Sequence, residues 1–276
     1  MIQLLQYGAL AIAPGIFWLW FFWQKDKFER EPARYIVITY FLGAAVVLPA
    51  GILEGWLATG LMPMDMMIIG IVEEAAKFLA VYMFVFRKSE FNEVMDGIVY
   101  AAAAALGFAS LENFLYILWY EPVVMMGRAF ISTPAHVLFA ALWGYALGLN
   151  KMTGKGTVLA GLVSAMVAHG VYDILTEVTG SLLVNVMLVI LLVLFLYMVI
   201  AGKIRESLEL SPFKEVAESG AVVRCPVCNK YVPMGVRFCP RCGNRMKSMP
   251  TEMKCLKCGA NIPAGSNFCP NCGEKL

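Results

Sequence analysis

The chain has 276 residues, of which 60% are hydrophobic and 15% are charged, and its formal net charge is +2. Soluble domains hold about 45–50% apolar and about 25% charged residues, so this composition excludes an ordinary water-soluble protein. It predicts instead an all-α polytopic membrane protein, and the near balance of charge gives no support to nucleic-acid binding.

Seven apolar segments are each long enough to cross a bilayer about 30 Å thick as a helix rising about 1.5 Å per residue. We predict a retained first helix rather than a signal peptide, because basic residues follow this segment and none precedes it. In the fourth segment, Gly97, Gly107 and the alanines at 101–105 are expected to let neighbouring backbones approach closely. The predicted spans are residues 4–23, 35–59, 66–86, 97–118, 129–149, 156–176 and 181–202.

The basic residues of the connecting loops predict the orientation in the membrane. Ten Lys and Arg residues follow the odd-numbered spans, whereas Arg128 alone lies in a loop on the other side. Because cytoplasmic loops are rich in Lys and Arg, we expect a plasma-membrane protein with its N-terminus outside and its C-terminal tail in the cytoplasm. The ten are Lys25, Lys27, Arg30, Arg34, Arg87, Lys88, Lys151, Lys155, Lys203 and Arg205.

The sequence divides into a membrane domain over residues 1–202, a linker or short surface helix over 203–222, and two cysteine-containing units over 223–247 and 248–276. Each unit contains two C-x-x-C pairs separated by ten residues, and the second unit repeats the first after 30 residues. The eight cysteines are Cys225, Cys228, Cys239, Cys242, Cys255, Cys258, Cys269 and Cys272.

Four thiolates at this spacing predict one structural, tetrahedral Zn²⁺ in each unit, with no position left open for a substrate. Gly243, Gly259 and Gly273 directly follow three of the cysteine pairs, where a positive φ is often required. Disulfides are the alternative, and the predicted cytoplasmic location disfavours them. The repeat resembles the double zinc ribbons of many prokaryotic proteins, which implies contact with a cytoplasmic protein partner.

Ionisable side chains lie well inside the predicted spans and are expected to share one site. A charged group at a helix centre costs about 2.5–3.5 kcal/mol, so these groups must face one another or a water-filled cavity. Counted from the span ends at about 1.5 Å per residue, they fall in one layer in the outer half of the bilayer. The set is Glu54, Glu73, Glu74, Lys77, Glu112, His136, His169 and Asp173.

The spacing of these groups within each helix adds detail. Glu73 and Lys77 are four residues apart, as are His169 and Asp173, so the members of each pair lie on one helix face. Pro134 predicts that the fifth span starts or kinks close to its histidine. For each residue taken alone, a structural hydrogen bond to a neighbouring helix is the simpler alternative, but the set as a whole favours catalysis or an ion pathway.

Three spaced motifs occur in order: E-E-x-x-K at residues 73–77, F-x-x-x-E at 108–112 and H-x-x-x-D at 169–173. The segments FEREP and MDG accompany them. Together, over about residues 10–200, they resemble the PrsW family of intramembrane proteases. This resemblance implies hydrolysis of a peptide bond of a single-pass membrane protein, such as an anti-sigma factor, within or at the edge of the membrane.

PrsW proteins are similar in turn to the CAAX prenyl endopeptidases, whose motifs read E-E-x-x-x-R, F-x-x-x-H and H-x-x-x-N. By that resemblance Glu73 is the general base and Glu74 supports it. Glu112 takes the water-activating position, although the prenyl enzymes have His there. His169 and Asp173 stabilise the oxyanion. The predicted catalytic set is Glu73, Glu74, Lys77, Glu112, His136, His169 and Asp173.

This resemblance is compatible with two catalytic types, and several other functions are alternatives to it. Water activation by glutamate without metal is favoured over a Zn²⁺ held by His136, His169 and a carboxylate. A prenyl-protein endopeptidase is the nearest enzyme alternative. A transporter with a proton relay would show inverted repeats, which are not evident. A membrane scaffold or sensor with an inactive site is disfavoured by the intact motifs.

Overall fold

The computed structural model describes a helical membrane domain followed by two small β-containing units. Residues 215–221 of the predicted linker and the predicted boundary at 247–248 between the two units lie outside the described part of the chain. The described residues are 2–155, 157–214, 222–228, 231–233, 236, 238–239, 242–246, 252–255, 257–263 and 268–274.

Each of the seven predicted spans corresponds to one helix or to a pair of consecutive helices. Within the described residues, six spans are long and apolar enough to cross a membrane. The predicted third span is a helix of 23 residues whose middle carries three charged side chains, Glu73, Glu74 and Lys77. The helices are α1 (Ile2–Trp23), α2 (Ala33–Ala45), α3 (Val47–Leu57), α4 (Met62–Phe84), α5 (Val94–Trp119), α6 (Val124–Gly127), α7 (Thr133–Thr153), α8 (Val158–Glu177) and α9 (Leu182–Glu209).

Prolines interrupt two of the predicted spans. Pro49 has no N–H, and its ring clashes with the carbonyl four residues earlier, which is that of Ala45 at the end of α2. The second span is therefore split at Val46 into α2 and α3. The fifth span has the expected irregular start, because a π-helical turn over Arg128–Ser132 precedes α7 and Pro134 lies in the first turn of that helix.

Helix α9 continues to Glu209, past the predicted end of the seventh span at residue 202. The added segment is polar, and Lys203 donates to Glu206 at 3.0 Å on its exposed side. The first part of the predicted linker is therefore the end of a membrane helix that reaches into water.

Helix α5 forms the centre of the membrane domain. The alanines at 101–105 are fully buried, and the helix packs against α1, α2 and α7. Gly97 lies against the backbone of α7, where a Cβ atom would overlap the carbonyl of Gly144. Gly107 meets the backbone of Tyr40 on α2 in the same way. The predicted close approach of neighbouring backbones at these small residues is confirmed.

A second glycine contact joins α4 to α8. At Gly70 an added Cβ atom would lie 2.5 Å from the backbone nitrogen of Gly170 and 2.7 Å from the carbonyl oxygen of Met166. Both partners are backbone atoms, which cannot rotate away as a flexible side chain can. Glu73 lies one turn beyond Gly70, and His169 precedes Gly170. The contact therefore sets the distance between these two site residues.

Substituting Gly70 by Ala is expected to push α4 and α8 apart, and to reduce thermal stability in detergent as overpacking does, by about 1–3 kcal/mol. Gly51→Ala is the matched control, because nothing lies within 4 Å of a Cβ atom built at Gly51. That change is expected to be neutral or slightly stabilising, since Ala favours helix. Equal melting temperatures for the two variants would contradict the close packing of α4 on α8.

Two antiparallel strand pairs follow, β1 (Val222–Arg224) with β2 (Tyr231–Pro233) and β3 (Glu252–Lys254) with β4 (Asn261–Pro263). Each pair accompanies one group of four cysteines. The strand pairs and the two cysteine groups belong to the two predicted repeat units.

The sulfur atoms of each group are spaced for a metal ion. In the first group Cys225 and Cys242 are 3.7 Å apart and Cys228 and Cys239 are 3.6 Å apart, and the second group matches it. A tetrahedron with Zn–S bonds of about 2.3 Å has edges of roughly 3.8 Å. The eight cysteines are unbridged, so the two groups fit two structural Zn²⁺ ions rather than disulfides. Positive φ values of 67°, 71° and 71° at the three glycines confirm the predicted turns.

The first cysteine unit contacts the membrane domain. The backbone N–H of Phe238 donates to Glu29 Oε1 at 3.0 Å. Glu29 lies in the loop between α1 and α2. This loop and the first unit therefore lie at the same end of the helix bundle.

Candidate active site

Four membrane helices bring the predicted site residues into one cluster. The members come from parts of the chain up to about 100 residues apart, and most of their side chains are buried. Helix α4 supplies Glu73, Glu74 and Lys77, α5 supplies Glu112, α7 supplies His136, and α8 supplies His169 and Asp173.

Glu74 is the fixed centre of this cluster. It is fully buried and its carboxylate contacts three donors. Lys77 Nζ donates to Oε1 at 2.9 Å, and Trp143 Nε1 donates to Oε2 at 3.0 Å. His169 Nδ1 lies 3.1 Å from Oε1. Since an ionised carboxylate only accepts, Nδ1 of His169 carries the proton and Nε2 faces away from Glu74.

Lys77 binds both carboxylates of the E-E pair. Its Nζ donates to Glu73 Oε2 and to Glu74 Oε1, each at 2.9 Å, and it is itself fully buried. The ammonium also lies 4.3 Å from the centre of the Phe108 ring and 3.1 Å from His136 Nδ1. A buried ammonium with these partners is well compensated, because it has two anions, a ring face and an acceptor around it.

Glu112 and His136 form the second side of the site. Arg128 Nη2 lies 2.7 Å from Glu112 Oε2, and His136 Nε2 lies 3.1 Å from the same oxygen. Because an ammonium only donates, the contact with Lys77 makes Nδ1 of His136 an acceptor and places the ring proton on Nε2, towards Glu112. Glu112 therefore has a permanent cation on one side and an imidazole N–H on the other.

His169 Nε2 and Asp173 Oδ2 are held less tightly than the other polar atoms of the cluster. His169 Nε2 is 3.7 Å from both Glu73 Oε2 and Asp173 Oδ2. Among the described residues Asp173 Oδ2 has no hydrogen-bond partner, although the atom is buried. A buried carboxylate oxygen in that state requires a partner from water or a ligand.

A cavity of about 500 Å³ opens at this point between α4, α5, α7, α8 and α9. Its volume lies in the range of ordinary ligand pockets. Its lining contains polar groups of the cluster and apolar side chains of α9, including Val186 and Val189. The cluster residues that reach the cavity are Glu73, Glu112, His136, His169 and Asp173.

Glu54 lies apart from the histidines. It lines a second cavity of about 420 Å³ between α3, α4 and α5, which also reaches Glu73 and Glu112. Its Oε1 is buried and has no hydrogen-bond partner among the described residues. The layer predicted from the sequence thus contains two adjoining spaces that meet at the same pair of carboxylates.

Two residues that hold the site together were not identified from the sequence. Arg128 neutralises Glu112 and donates from Nε to Asn113 at 2.6 Å. Trp143 anchors Glu74 from α7. The signal for Arg128 was present, because it is a solitary basic residue close to the membrane level of Glu112. A buried Trp carries no such signal, since most tryptophans in apolar helices pack without a charged partner.

If every acid is ionised and both histidines are neutral, the cluster carries a net charge of −2. It holds four carboxylates but only two permanent cations, Lys77 and Arg128. Buried like charges at this spacing require either a proton on one or more groups or a bound cation.

Glu73, His136 and His169 are a donor set of the type that catalytic zinc sites use. One ligand atom from each lies within 4.8 Å of the others, and all three residues are buried. Three protein donors with a fourth position open to water are usual for catalytic zinc. The residues fit Zn²⁺ in donor type and proximity, but a metal bound at His136 Nδ1 would replace Lys77 as the partner of that nitrogen.

Comparison with known proteins agrees with the motifs. A family model described as PrsW family intramembrane metalloprotease matches residues 31–200, and a model described as double zinc ribbon matches residues 225–273. No solved structure matches the chain. The two matches cover the helical domain and the cysteine units separately.

Several bacterial relatives carry the name Protease PrsW. The protein of Geobacillus kaustophilus is 34% identical over 170 residues, which cover 59% of this chain and 76% of the relative. That of Halalkalibacterium halodurans is 30% identical over 194 residues, or 67% of this chain and 90% of the relative. That of Bacillus subtilis is 31% identical over 179 residues, or 61% and 82%. The chain belongs to the PrsW family of intramembrane proteases and carries a double zinc ribbon after its membrane domain.

Proposed function

We propose that the chain is an intramembrane endopeptidase in which Glu73 activates the attacking water. The observation that carries this proposal is that Glu73 and His169 line the same cavity, with Oε2 and Nε2 3.7 Å apart. A water molecule that contacts both atoms would lie at the edge of a space large enough for a peptide segment. Membership of the PrsW family implies that the substrate is a membrane protein.

In the proposed reaction Glu73 accepts a proton from water as the oxygen attacks the scissile carbonyl carbon. The same carboxyl group then gives this proton to the leaving amine nitrogen as the C–N bond breaks. Glu73 returns to its ionised state, and the products are a carboxylic acid and an amine. Removal of bulk water from the cavity strengthens the interactions that support charge development.

His169 is proposed to stabilise the oxyanion. Glu74 holds its Nδ1, and the carboxylates of Glu73 and Asp173 on the other side favour an imidazolium whose Nε2–H points into the cavity. Glu74 and Asp173 then act as positioning residues. Glu112 is less suited to be the base, because Arg128 lies 2.7 Å from its carboxylate.

The proposal favours the glutamic type of catalysis on the basis of the contacts of His136. Its Nδ1 contacts Lys77 and its Nε2 contacts Glu112. Activation of water by Glu73 leaves both contacts in place. A zinc ion held by Glu73, His136 and His169 would supply a bound water of lowered pKa and polarise the carbonyl. Metal content distinguishes the two types.

Cleavage near the extracytoplasmic face and an anti-sigma-factor-like substrate belong to the same proposal. The support for the face is the ten-to-one charge bias of the loops, which directs the zinc ribbons to the cytoplasm. The support for a regulatory substrate is the motif pattern shared with the PrsW family. A contact between the ribbons and a cytoplasmic protein remains a prediction from the cysteine repeat.

The test combines cleavage with metal analysis of the full chain. Tagged single-pass membrane proteins are co-expressed with the wild type, and the released fragment is mapped by mass spectrometry. We expect an internal cut near the outer face, two zinc ions per purified chain, and activity that survives a chelator. A third zinc that is present in the wild type and absent from Glu73→Gln would contradict the glutamic type. Wild-type activity that a chelator removes and added Zn²⁺ restores would contradict it as well.

Other functions predict different results in the same experiment. A cut confined to the C-terminal residues of a prenylated protein would indicate the CAAX-type alternative. Absence of any cleavage across a panel of single-pass substrates, with proton-coupled solute uptake into vesicles instead, would indicate a transporter and overturn the protease proposal.

A further inference from the structure

A second group of buried carboxylates lies at the opposite end of α5 from Glu112. Asp26 follows α1, Glu93 precedes the first residue of α5, and Asp96 lies in its first turn. All three side chains are at most 1% exposed. One oxygen from each lies within 4.8 Å of the others. Sixteen residues of helix separate Asp96 from Glu112, or about 24 Å, so this group is distinct from the active site.

Two of these carboxylates, those of Asp96 and Glu93, accept hydrogen bonds from nearby donors. Asp96 Oδ2 accepts from the backbone N–H groups of Asn92 and Glu93, at 2.6 and 2.8 Å. Glu93 Oε2 accepts from the hydroxyl of Ser211, just beyond α9. These donors fix the orientation of the two carboxylates.

The remaining oxygens of the group have no donor among the described residues, and their polar neighbours include other carboxylates, Glu93 beside Asp26 and Glu31 beside Asp96. Glu93 Oε1, Asp96 Oδ1 and both carboxylate oxygens of Asp26 are buried and lack a hydrogen bond within the described part of the chain. The ion pairs found among the described residues do not include any of the three acids. Asp26 is the decisive member, because both of its oxygens are buried, neither has a donor among the described residues, and the carboxylates of Glu93 and Asp96 lie beside it.

Two basic side chains at this end of the bundle have other partners. Lys151 Nζ donates to the backbone carbonyls of Phe86 and Lys88. Arg34 reaches Glu90 at 3.5 Å. Here buried carboxylate oxygens from the loop after α1 and from the start of α5 approach one another without a donor among the described residues, which is a usual setting for a cation bound by oxygen ligands.

We propose that Asp26, Glu93 and Asp96 bind a hard divalent cation of the Mg²⁺, Mn²⁺ or Ca²⁺ class. The donors are carboxylate oxygens alone, which suit these ions rather than the thiolate- and imidazole-preferring Zn²⁺. The ion ties the loop after α1 to the start of α5, and through Ser211 it reaches the end of α9. The same loop holds Glu29, which accepts from Phe238 of the first zinc ribbon. The cation would therefore stabilise the surface on which that ribbon is seated.

The test is Mn²⁺ binding to the full chain in detergent, followed by electron paramagnetic resonance. We expect one saturable site per wild-type chain, with Mn²⁺ displaced by excess Mg²⁺ or Ca²⁺. The order of displacement identifies the preferred ion. Asp26→Asn is expected to weaken binding at least tenfold, since it removes a charge and keeps the shape. Glu121→Gln, an exposed carboxylate at the other end of the bundle, is the matched control and is expected to bind as the wild type does.

A second measurement distinguishes cation binding by these carboxylates from misfolding of the variant and from cation binding at the active site. Mg²⁺ or Ca²⁺ is expected to raise the melting temperature of the wild type and of Glu73→Gln, but not of Asp26→Asn, because a ligand stabilises only a fold that binds it. If Asp26→Asn fails to fold, Glu93→Gln takes its place. Wild-type affinity in both variants, or no saturable Mn²⁺ in the wild type, would overturn the proposal. Loss of the Mn²⁺ signal in Glu73→Gln alone would assign the ion to the active site and overturn it as well.

Discussion

Replacing Glu73 with Gln is expected to lower the rate of substrate cleavage by roughly 10²–10⁴-fold, the usual contribution of a general base. The amide has the shape of the carboxylate and still accepts a hydrogen bond from Lys77, which lies 2.9 Å from Oε2 in the wild type. It cannot accept a proton from water. The fold is therefore expected to survive while water activation is lost. The measurement is the initial rate of fragment release from a reconstituted single-pass substrate.

Two controls make this result specific to Glu73. Glu121→Gln removes an exposed carboxylate from the same protein and is expected to keep the wild-type rate. His169→Ala is expected to lose activity as well, because it removes the proposed oxyanion donor beside Glu73. Full activity in Glu73→Gln, with an unchanged elution profile, would exclude this residue as the base. Full activity in His169→Ala would exclude the oxyanion role.

Replacing Lys77 with Met is expected to destabilise the membrane domain by about 3–5 kcal/mol, the cost of breaking a buried ion pair. Met nearly preserves the volume of the side chain, but it leaves Glu73 and Glu74 without their shared cation. A loss of this size corresponds to a decrease in melting temperature of roughly 10 °C for a domain of this length. Thermal unfolding in detergent, followed by size-exclusion chromatography of the soluble fraction, measures it.

The same substitution at an exposed ion pair is the matched control. Lys203 and Glu206 are 3.0 Å apart at the end of α9, with side-chain exposures of 40% and 48%. Lys203→Met is expected to change stability by less than about 1 kcal/mol, since solvent screens the pair. The double variant Lys77→Met, Glu74→Gln should recover part of the loss, because one uncompensated charge is removed. Similar melting temperatures for the Lys77 and Lys203 variants would contradict a buried, interdependent cluster.

The helical architecture was largely predictable from the sequence, because a bilayer permits few backbone conformations. Every backbone polar group within the bilayer must be satisfied inside its own segment, so an apolar stretch of about 20 residues forms a helix. The positions of helix-disturbing prolines could also be read from the sequence. Pro134 was expected to disturb the start of its helix, and it does. The break at Val46 was not predicted, although Pro49 carries the same physical cause.

The membership of the polar cluster was predictable for a related reason. A charged side chain inside a membrane helix must find a partner, and a common depth identifies which residues can meet. The structure brings together the seven residues of the predicted catalytic set. Their catalytic roles remain predictions. The cysteine groups were predictable too, since the spacing of four thiolates within one short unit is itself the geometry of a zinc site.

The partners within the cluster depended on helix rotation and packing, which no local pattern records. Glu73 and Glu74 are adjacent in sequence, but Glu74 points to Trp143 and His169 while Glu73 reaches the cavity. A rotation of α4 by about 100°, the angle between successive residues of a helix, would exchange their surroundings. The contact between Gly70 and Gly170 decides this rotation, because it admits only one approach of α4 to α8.

The three carboxylates at the other end of α5 also show what the sequence does not reveal and the packing decides. Asp26 lies 67 residues before Glu93, in a loop with no apolar pattern, and nothing in the sequence indicates that the two approach each other. Only the packing of α1 beside α5 brings them within 4.8 Å. The sequence by itself determined the helices, the metal-binding cysteines and the polar residues that must be shielded from lipid. The tertiary structure decided which charges compensate one another, because compensation depends on distances between residues far apart in the chain.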